Sequence, residues 1–176
     1  MYQRILVPFD GSTTSSKGLD EAIRLATLTG ARLRLIHLLD VLAFATGFET
    51  YSAYADSVIP FMHQTGERIL QEGKDRAEKA GVPVDTVLLE DMASRLSDAV
   101  ADQAKAWGAD LIVIGTHGRR GVGRVLLGSD AEQIMRSSSV PVLLVRATGA
   151  AAGLRTTEAA QTAFATPLAE RSGSAC

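Results

Sequence analysis

From position 109 to 129 the chain runs ADLIVIGTHGRRGVGRVLLGS, and this stretch holds the residues best suited to chemistry. Gly115, Gly118, Gly121, Gly123 and Gly128 are interleaved with Arg119, Arg120 and Arg124, and no acid stands between Asp110 and Asp130. Glycines let the backbone approach a ligand closely, and free N–H groups at a helix start favour an anion. The arginines add positive charge, so the pattern suits a phosphate cradle. It equally suits a structural turn with solvated arginines, because glycine loops between a strand and a helix often bind nothing. Ser129 with Glu132 three places on reads as an S-x-x-E capping box, which predicts a helix start there.

Two other phosphate motifs fail. Gly66 to Gly73-Lys74-Asp75 has the wrong spacing for a Walker A loop and lacks its hydroxyl, and Gly121-x-Gly123 is followed by Leu126 where a dinucleotide fingerprint needs a third glycine.

The elements that must position this loop can be taken from periodicity. Leu111 to Ile114 is a short apolar run, as expected of a strand buried on both faces. Ile5, Leu6 and Val7 within Arg4 to Phe9 predict a similar strand, stopped by Pro8, which has no N–H, and by the Asp10-Gly11-Ser12 turn. Ser15 or Ser16 is the expected cap of a helix with the stripe Leu19, Ala22, Ile23 and Ala26, ended by Gly30. Arg32 to Leu39 is a second strand, with Leu33, Leu35, His37 and Leu39 on one face, Ile36 and Leu38 on the other, and Arg32 and Arg34 at an exposed start. A histidine in such a strand is more often a satisfied core residue than a ligand.

Asp40 to Ile59 lacks regularity and predicts a long loop, either a covering over a crevice or a short amphipathic helix through Phe44, Phe48 and Tyr51. Pro60 to Ala80 predicts a long helix with Thr65, Ile69, Gly73, Ala77 and Ala80 on one side. Val84 to Leu89 is a third strand. Ser94 or Ser97 opens a helix with Leu96, Val100, Gln103 and Trp107 on one face, and Trp107 reads as a core anchor at its end. After the glycine loop come a helix from Asp130 to about Ser138 and a fifth strand, Val140 to Val145.

Strands alternating with helices imply α/β architecture, a doubly wound five-stranded parallel sheet with helices on both faces. In such sheets ligands collect at the carboxyl ends of the strands, where the winding reverses. Asp10 then has two roles open to it. It can pin its own turn, or it can face the crevice and accept hydrogen bonds from a ribose or an adenine amino group.

Composition sets outer bounds. The chain has 176 residues, 46% of them hydrophobic, and a net charge of −2. That is one ordinary domain with a tail, neither disordered nor basic enough for general nucleic-acid binding. The single cysteine, Cys176, excludes disulfides and thiolate metal sites. No apolar run approaches the ~18 residues of a membrane span, and no signal-peptide pattern precedes RILVPF, so the expectation is a cytoplasmic protein with no membrane partner.

Gly115-x-x-Gly118, nine residues, then Gly128-Ser129 resembles the G-x2-G-x9-G-[ST] signature of the ATP-binding branch of the universal stress protein family. The resemblance covers residues 1 to 146 and leaves 147 to 176 as an Ala/Thr-rich tail, expected to be mobile or to act as a dimer arm. It implies a Rossmann-like sheet of order 3-2-1-4-5 and an adenine nucleotide, ATP, with Mg²⁺ carried on its phosphates. The implied site comprises Pro8, Phe9 and Asp10 in the first loop; Leu38, whose backbone would face adenine; Gly115, Thr116, His117, Gly118, Arg119, Arg120 and Gly121; and Gly128, Ser129, Asp130 and Ala131. A homodimer through Val140 to Val145 would cover an otherwise exposed edge strand.

Asp130 departs from the family, which usually has an apolar residue after the Gly-Ser pair. Its charge favours the helix dipole but would oppose a triphosphate if it faced one. Three functions stay open at this level: a nucleotide-binding stress or signalling protein with at most slow hydrolysis, a nucleotide-free interaction module, or an ATP-hydrolysing enzyme. The absence of an S-G-G-x-D-S first loop argues against the last.

Overall fold

The computed structural model describes residues 1–39, 51–90, 95–116 and 128–146, with the side chains of 51–58 left aside. Nine elements alternate: β1 (Arg4–Pro8), α1 (Thr13–Thr29), β2 (Arg32–Leu39), α2 (Tyr51–Lys79), β3 (Val84–Glu90), α3 (Leu96–Trp107), β4 (Leu111–Gly115), α4 (Ser129–Ser137) and β5 (Val142–Val145). The sheet order is β3-β2-β1-β4-β5, and every pairing is parallel. The expected 3-2-1-4-5 winding is therefore present.

The pleat of the strands sorts the core into two layers. Ile5, Val7, Leu33, Leu35, Leu111 and Val113 point to one face, where Leu19, Ala22, Ile69 and Ala77 from α1 and α2 cover them. Leu6, Ile36, Ile112 and Ile114 point to the other, against Val100, Ala104, Ala131 and Ile134 of α3 and α4. Burial on both faces explains why β1 and β4 are unbroken apolar runs. β3 and β5, at the sheet edges, are only partly buried.

Several local expectations give way to a different chemistry. The α1 cap is Ser12, neither Ser15 nor Ser16: the Ser12 hydroxyl accepts from the Ser15 amide, and Ser15 is itself buried with its hydroxyl donating to the Ser12 carbonyl. The Ser129-Glu132 capping box does not form. Gly128 is the N-cap of α4 without a side-chain bond, and the Glu132 carboxylate instead pairs with Arg136 one turn on. α3 starts after Arg95, with Ser97 buried in its first turn, and its buried stripe is Ser97, Val100 and Ala104.

α2 begins at Tyr51, nine residues before the expected start, so positions 51 to 59 are helix and not loop. Pro60 lies within it, on the exposed side where water can replace the ladder bond that proline removes. The buried side of α2 includes Gly66 and Gly73, one heptad apart. A Cβ on Gly66 would stand 2.7 Å from a Leu88 methyl and 3.1 Å from the His37 ring, and one on Gly73 would stand 2.9 Å from the Phe9 ring. These glycines let α2 settle directly on the sheet.

Arg34 is not at an exposed strand start. Its guanidinium pairs in a fork with Asp85 across the β2–β3 ladder, at 2.7 and 2.9 Å, and lies 4.8 Å from the centre of the Trp107 ring. The Asp85 hydrogen bond and charge hold the Arg34 pKa above its ordinary value against the opposing effect of burial. Trp107 thus anchors the end of α3 as expected, through a cation as well as through packing.

Candidate functional site

β1 and β4 are neighbours although α1, β2, α2, β3 and α3 separate them in sequence. β1 leads to a helix on one face and β4 to a helix on the other, so the chain parts at their carboxyl ends and opens a crevice between the two turns. Ile5 is in register with Leu111 and Leu6 with Ile112, which brings the Asp10 turn and the start of the glycine loop to the same rim of the sheet.

The first turn is built by its own side chains. The Asp10 carboxylate accepts from the Ser12 amide at 3.0 Å, and the Ser12 hydroxyl accepts from the Ser15 amide at 3.2 Å. Asp10 therefore does pin its turn, the structural role open to it, while remaining half-buried at the rim. Gly11 takes a positive φ of 75°, which suits glycine alone among unstrained residues.

The second turn is held at its base. The Thr116 amide donates to the Val145 carbonyl at 2.9 Å, and the Thr116 carbonyl accepts from the Gly128 amide at 2.7 Å. Both backbone groups of Thr116 are thus committed, and the ends of the intervening glycine loop are tied together. His117, Gly118, Arg119, Arg120 and Gly121 lie within residues 117–127, outside the described residues.

α4 starts at the same rim, and among the described residues no side chain caps it. Its first helical bond runs from the Glu132 amide to the Gly128 carbonyl, so the amides of Ser129, Asp130 and Ala131 have no acceptor within the helix. Ser129 and Asp130 are exposed and Ala131 is buried. α1 differs, since the Ser12 hydroxyl already occupies the Ser15 amide of its first turn and the Asp10 carboxylate the Ser12 amide at its cap. Of the two helix starts, that of α4 is the better suited to an anion.

The close approach of the two turns rests on glycines. A Cβ on Gly115 would lie 2.6 Å from the carbonyl carbon and oxygen of Thr14, and one on Gly18 would lie 3.2 Å from the Gly115 amide nitrogen. Gly115 was expected to face a ligand, and its closest neighbour is the first turn of α1. Gly18 was missed; a glycine in a helix interior is a signal of such an approach, because it costs helix stability without another gain.

Leu38 lies where β1 has left the sheet. The Ile36 carbonyl accepts from the Phe9 amide at 2.8 Å, and the two-residue alternation of a parallel strand turns the main-chain groups of Leu38 to the same side. Pro8 is opposite Ile36, so the position opposite Leu38 falls at Asp10, beyond the end of β1. The Leu38 backbone thus faces the crevice. Pro8 and Phe9 are both buried at the end of β1, and the Phe9 ring packs under α2 at Gly73.

Among the described residues no group of three or more His, Cys, Asp or Glu could hold a metal ion. No helix among them is long and apolar enough to cross a membrane.

Comparison with known proteins gives one consistent result. A family model described as Universal stress protein family matches residues 1–146. A curated universal stress protein from Methanocaldococcus jannaschii is 33% identical over 146 residues, covering 83% of each chain. The crystal structure of a universal stress protein family member from Burkholderia pseudomallei superimposes with a TM-score of 0.64 at 32% identity, over 81% of this chain and 95% of that one. A universal stress protein crystallised in complex with cAMP superimposes with a TM-score of 0.58 at 27% identity, over 84% of this chain and 98% of that one.

Proposed function

The chain belongs to the universal stress protein family, and from that premise we propose that it binds an adenine nucleotide, ATP with Mg²⁺ on its phosphates, in the crevice between the β1 and β4 turns. The observation that carries this reading is the convergence of two different kinds of partner on one rim: the Leu38 main chain beyond the end of β1, and the uncapped amides of Ser129, Asp130 and Ala131 at the start of α4. The cAMP-bound relative supports adenine as the base.

In this reading Pro8, Phe9, Asp10 and Leu38 hold the nucleoside. The Leu38 backbone offers a donor and an acceptor at the end of the sheet, and the Asp10 carboxylate accepts from the ribose or the base while still bonded to the Ser12 amide. Gly128, Ser129, Asp130 and Ala131 hold the phosphates, with the Ser129 hydroxyl a further donor, while Gly115 and Thr116 set the base of the loop that carries them. His117, Gly118, Arg119, Arg120 and Gly121 supply the remaining backbone and charged contacts. The cation needs no dedicated cage and keeps most of its water.

The described rim provides hydrogen-bond donors and acceptors. The proposed role is that of a cytoplasmic stress or signalling protein, with hydrolysis slow at most. A homodimer through β5 completes the proposal. The Pro141 and Val145 carbonyls are used by β4, so the main-chain groups of Val142 and Leu144 face the open edge and can pair with a second copy.

Two measurements test the nucleotide. Heat-denatured purified protein is expected to release adenine nucleotide, and added ATP at 100 times Kd is expected to stabilise the fold by ~2.7 kcal/mol. No released nucleotide and no thermal response to ATP would overturn the reading. Turnover above about one per second would instead point to a dedicated enzyme.

A further inference from the structure

His37 carries a role that the nucleotide reading does not assign. It is buried, 9% exposed, inside β2, and its Nδ1 lies 2.8 Å from the Phe9 carbonyl oxygen. A carbonyl only accepts, so Nδ1 carries the proton in this contact. Phe9 is the first residue after β1 and the last before Asp10. Its amide is held by the Ile36 carbonyl at 2.8 Å, so both backbone groups of Phe9 are gripped by adjacent residues of β2, one through the backbone and one through a side chain. If the ladder simply continued, the donor next to the Phe9 carbonyl would be the Leu38 amide.

We infer that His37 is a positioning residue for the nucleoside end of the site: by holding the Phe9 carbonyl, it sets where β1 departs from the sheet and leaves the Leu38 backbone for the ligand. This deepens the nucleotide reading and rests on it. The imidazole is well placed for the task because it is itself confined. α2 lies over it at Gly66, where even a Cβ would come within 3.1 Å of the ring. A ring that cannot swing fixes the carbonyl, and the carbonyl fixes the angle at which Asp10 enters the crevice. The effect reaches the nucleoside through Phe9, Asp10 and Leu38 and does not touch the α4 start, which is anchored through Thr116 and Val145.

The test compares wild type, His37→Leu and His37→Asn, titrating each calorimetrically with adenosine, ATP and inorganic tripolyphosphate. Asparagine offers an amide N–H close to the place of Nδ1, and leucine fills the volume without a donor. The expected result is that His37→Leu weakens adenosine and ATP by the same factor, about tenfold, as befits one lost hydrogen bond. Tripolyphosphate binding stays as in wild type, and His37→Asn recovers adenosine affinity to within about threefold. Nitrogen NMR of the wild-type imidazole is expected to show Nδ1 protonated. Equal loss of adenosine and tripolyphosphate in the leucine variant would indicate general loosening and overturn the inference. So would unchanged adenosine affinity in that variant, failure of asparagine to restore it, or an unprotonated Nδ1. A wild type that binds neither adenosine nor ATP would overturn the nucleotide reading itself, whatever the variants do.

Discussion

Gly115 lies so close to Thr14 that a methyl group on it would stand 2.6 Å from the Thr14 carbonyl. The last residue of β4 is thereby pressed against the first turn of α1, and the two chain turns of the crevice share one wall. The obstacle is backbone, which cannot rotate aside as a side chain can. Gly115→Ala is expected to lower stability by about 1–3 kcal/mol, the usual cost of overpacking. A urea midpoint would check it, and the surviving folded protein should bind ATP less tightly because the turns are forced apart.

Ser12 and Ser129 look alike in sequence and should behave oppositely. Ser12 caps α1 through its hydroxyl, whereas Ser129 is the first residue of α4 with no capping bond. Ser12→Ala is expected to cost about 1 kcal/mol of stability. Ser129→Ala should cost under about 0.5 kcal/mol, with its main effect on ATP affinity. Paired denaturation and titration curves on the two variants would separate these outcomes.

Asp130 places a negative charge in the first turn of α4, beside the amides proposed for phosphate. Asp130→Asn is expected to tighten ATP by about two- to fivefold at low salt, since a charge at a helix start counts for roughly 0.3–1 kcal/mol. The gain should fade near 1 M salt, where screening acts within about 3 Å. Adenosine, which has no phosphate, should bind both proteins equally.

Arg34 joins β2, β3 and α3 through its fork to Asp85 and its position over Trp107. Arg34→Lys keeps the charge and loses the planar fork and the stacking, so a loss of about 1 kcal/mol is expected. Trp107 fluorescence should change with it. The Arg34 pKa is raised in the fold, so its stabilising protonation is complete below the unfolded value and is lost only as pH rises through the still higher folded value. Between pH 6 and 9 a stability profile should therefore show no step from this arginine.

β5 is an edge strand whose Val142 and Leu144 main-chain groups face outward. Leu144→Pro removes an outward N–H, the device by which proline blocks edge pairing. The variant is expected to run as a folded monomer in light scattering where wild type runs as a dimer. A monomeric wild type would remove the proposed interface.

Much of this fold could be read from composition and spacing, for a local reason. A strand buried on both faces must be apolar throughout, so Ile5 to Val7 and Leu111 to Ile114 announced themselves, and a helix lying on a sheet must show the stripe seen at Leu19, Ala22 and Ala26. Alternation of the two then implied a parallel sheet, and the Gly115 to Ser129 spacing carried the family.

Caps and close contacts were not legible in the same way. The S-x-x-E pattern at Ser129 predicted a capping box, but a helix start depends on where the preceding backbone is held, and the Thr116 carbonyl holds Gly128 as the cap. The Asp40 to Ile59 stretch offered only the spacing of Phe44, Phe48 and Tyr51 as a helical signal, yet 51 to 59 is helix, because a segment contiguous with a long packed helix needs little propensity of its own.

The sequence alone thus indicated most of the strands and helices, because burial periodicity is written residue by residue, while the winding and the family followed from the resemblance carried by the Gly115 to Ser129 spacing. Only the tertiary structure decided that His37 holds the Phe9 carbonyl, that Gly66 and Gly73 admit α2 onto the sheet, and that Gly115 abuts Thr14. Each of these contacts joins residues more than 20 positions apart, whose meeting depends on the register and packing distance of whole elements and leaves no trace in local spacing.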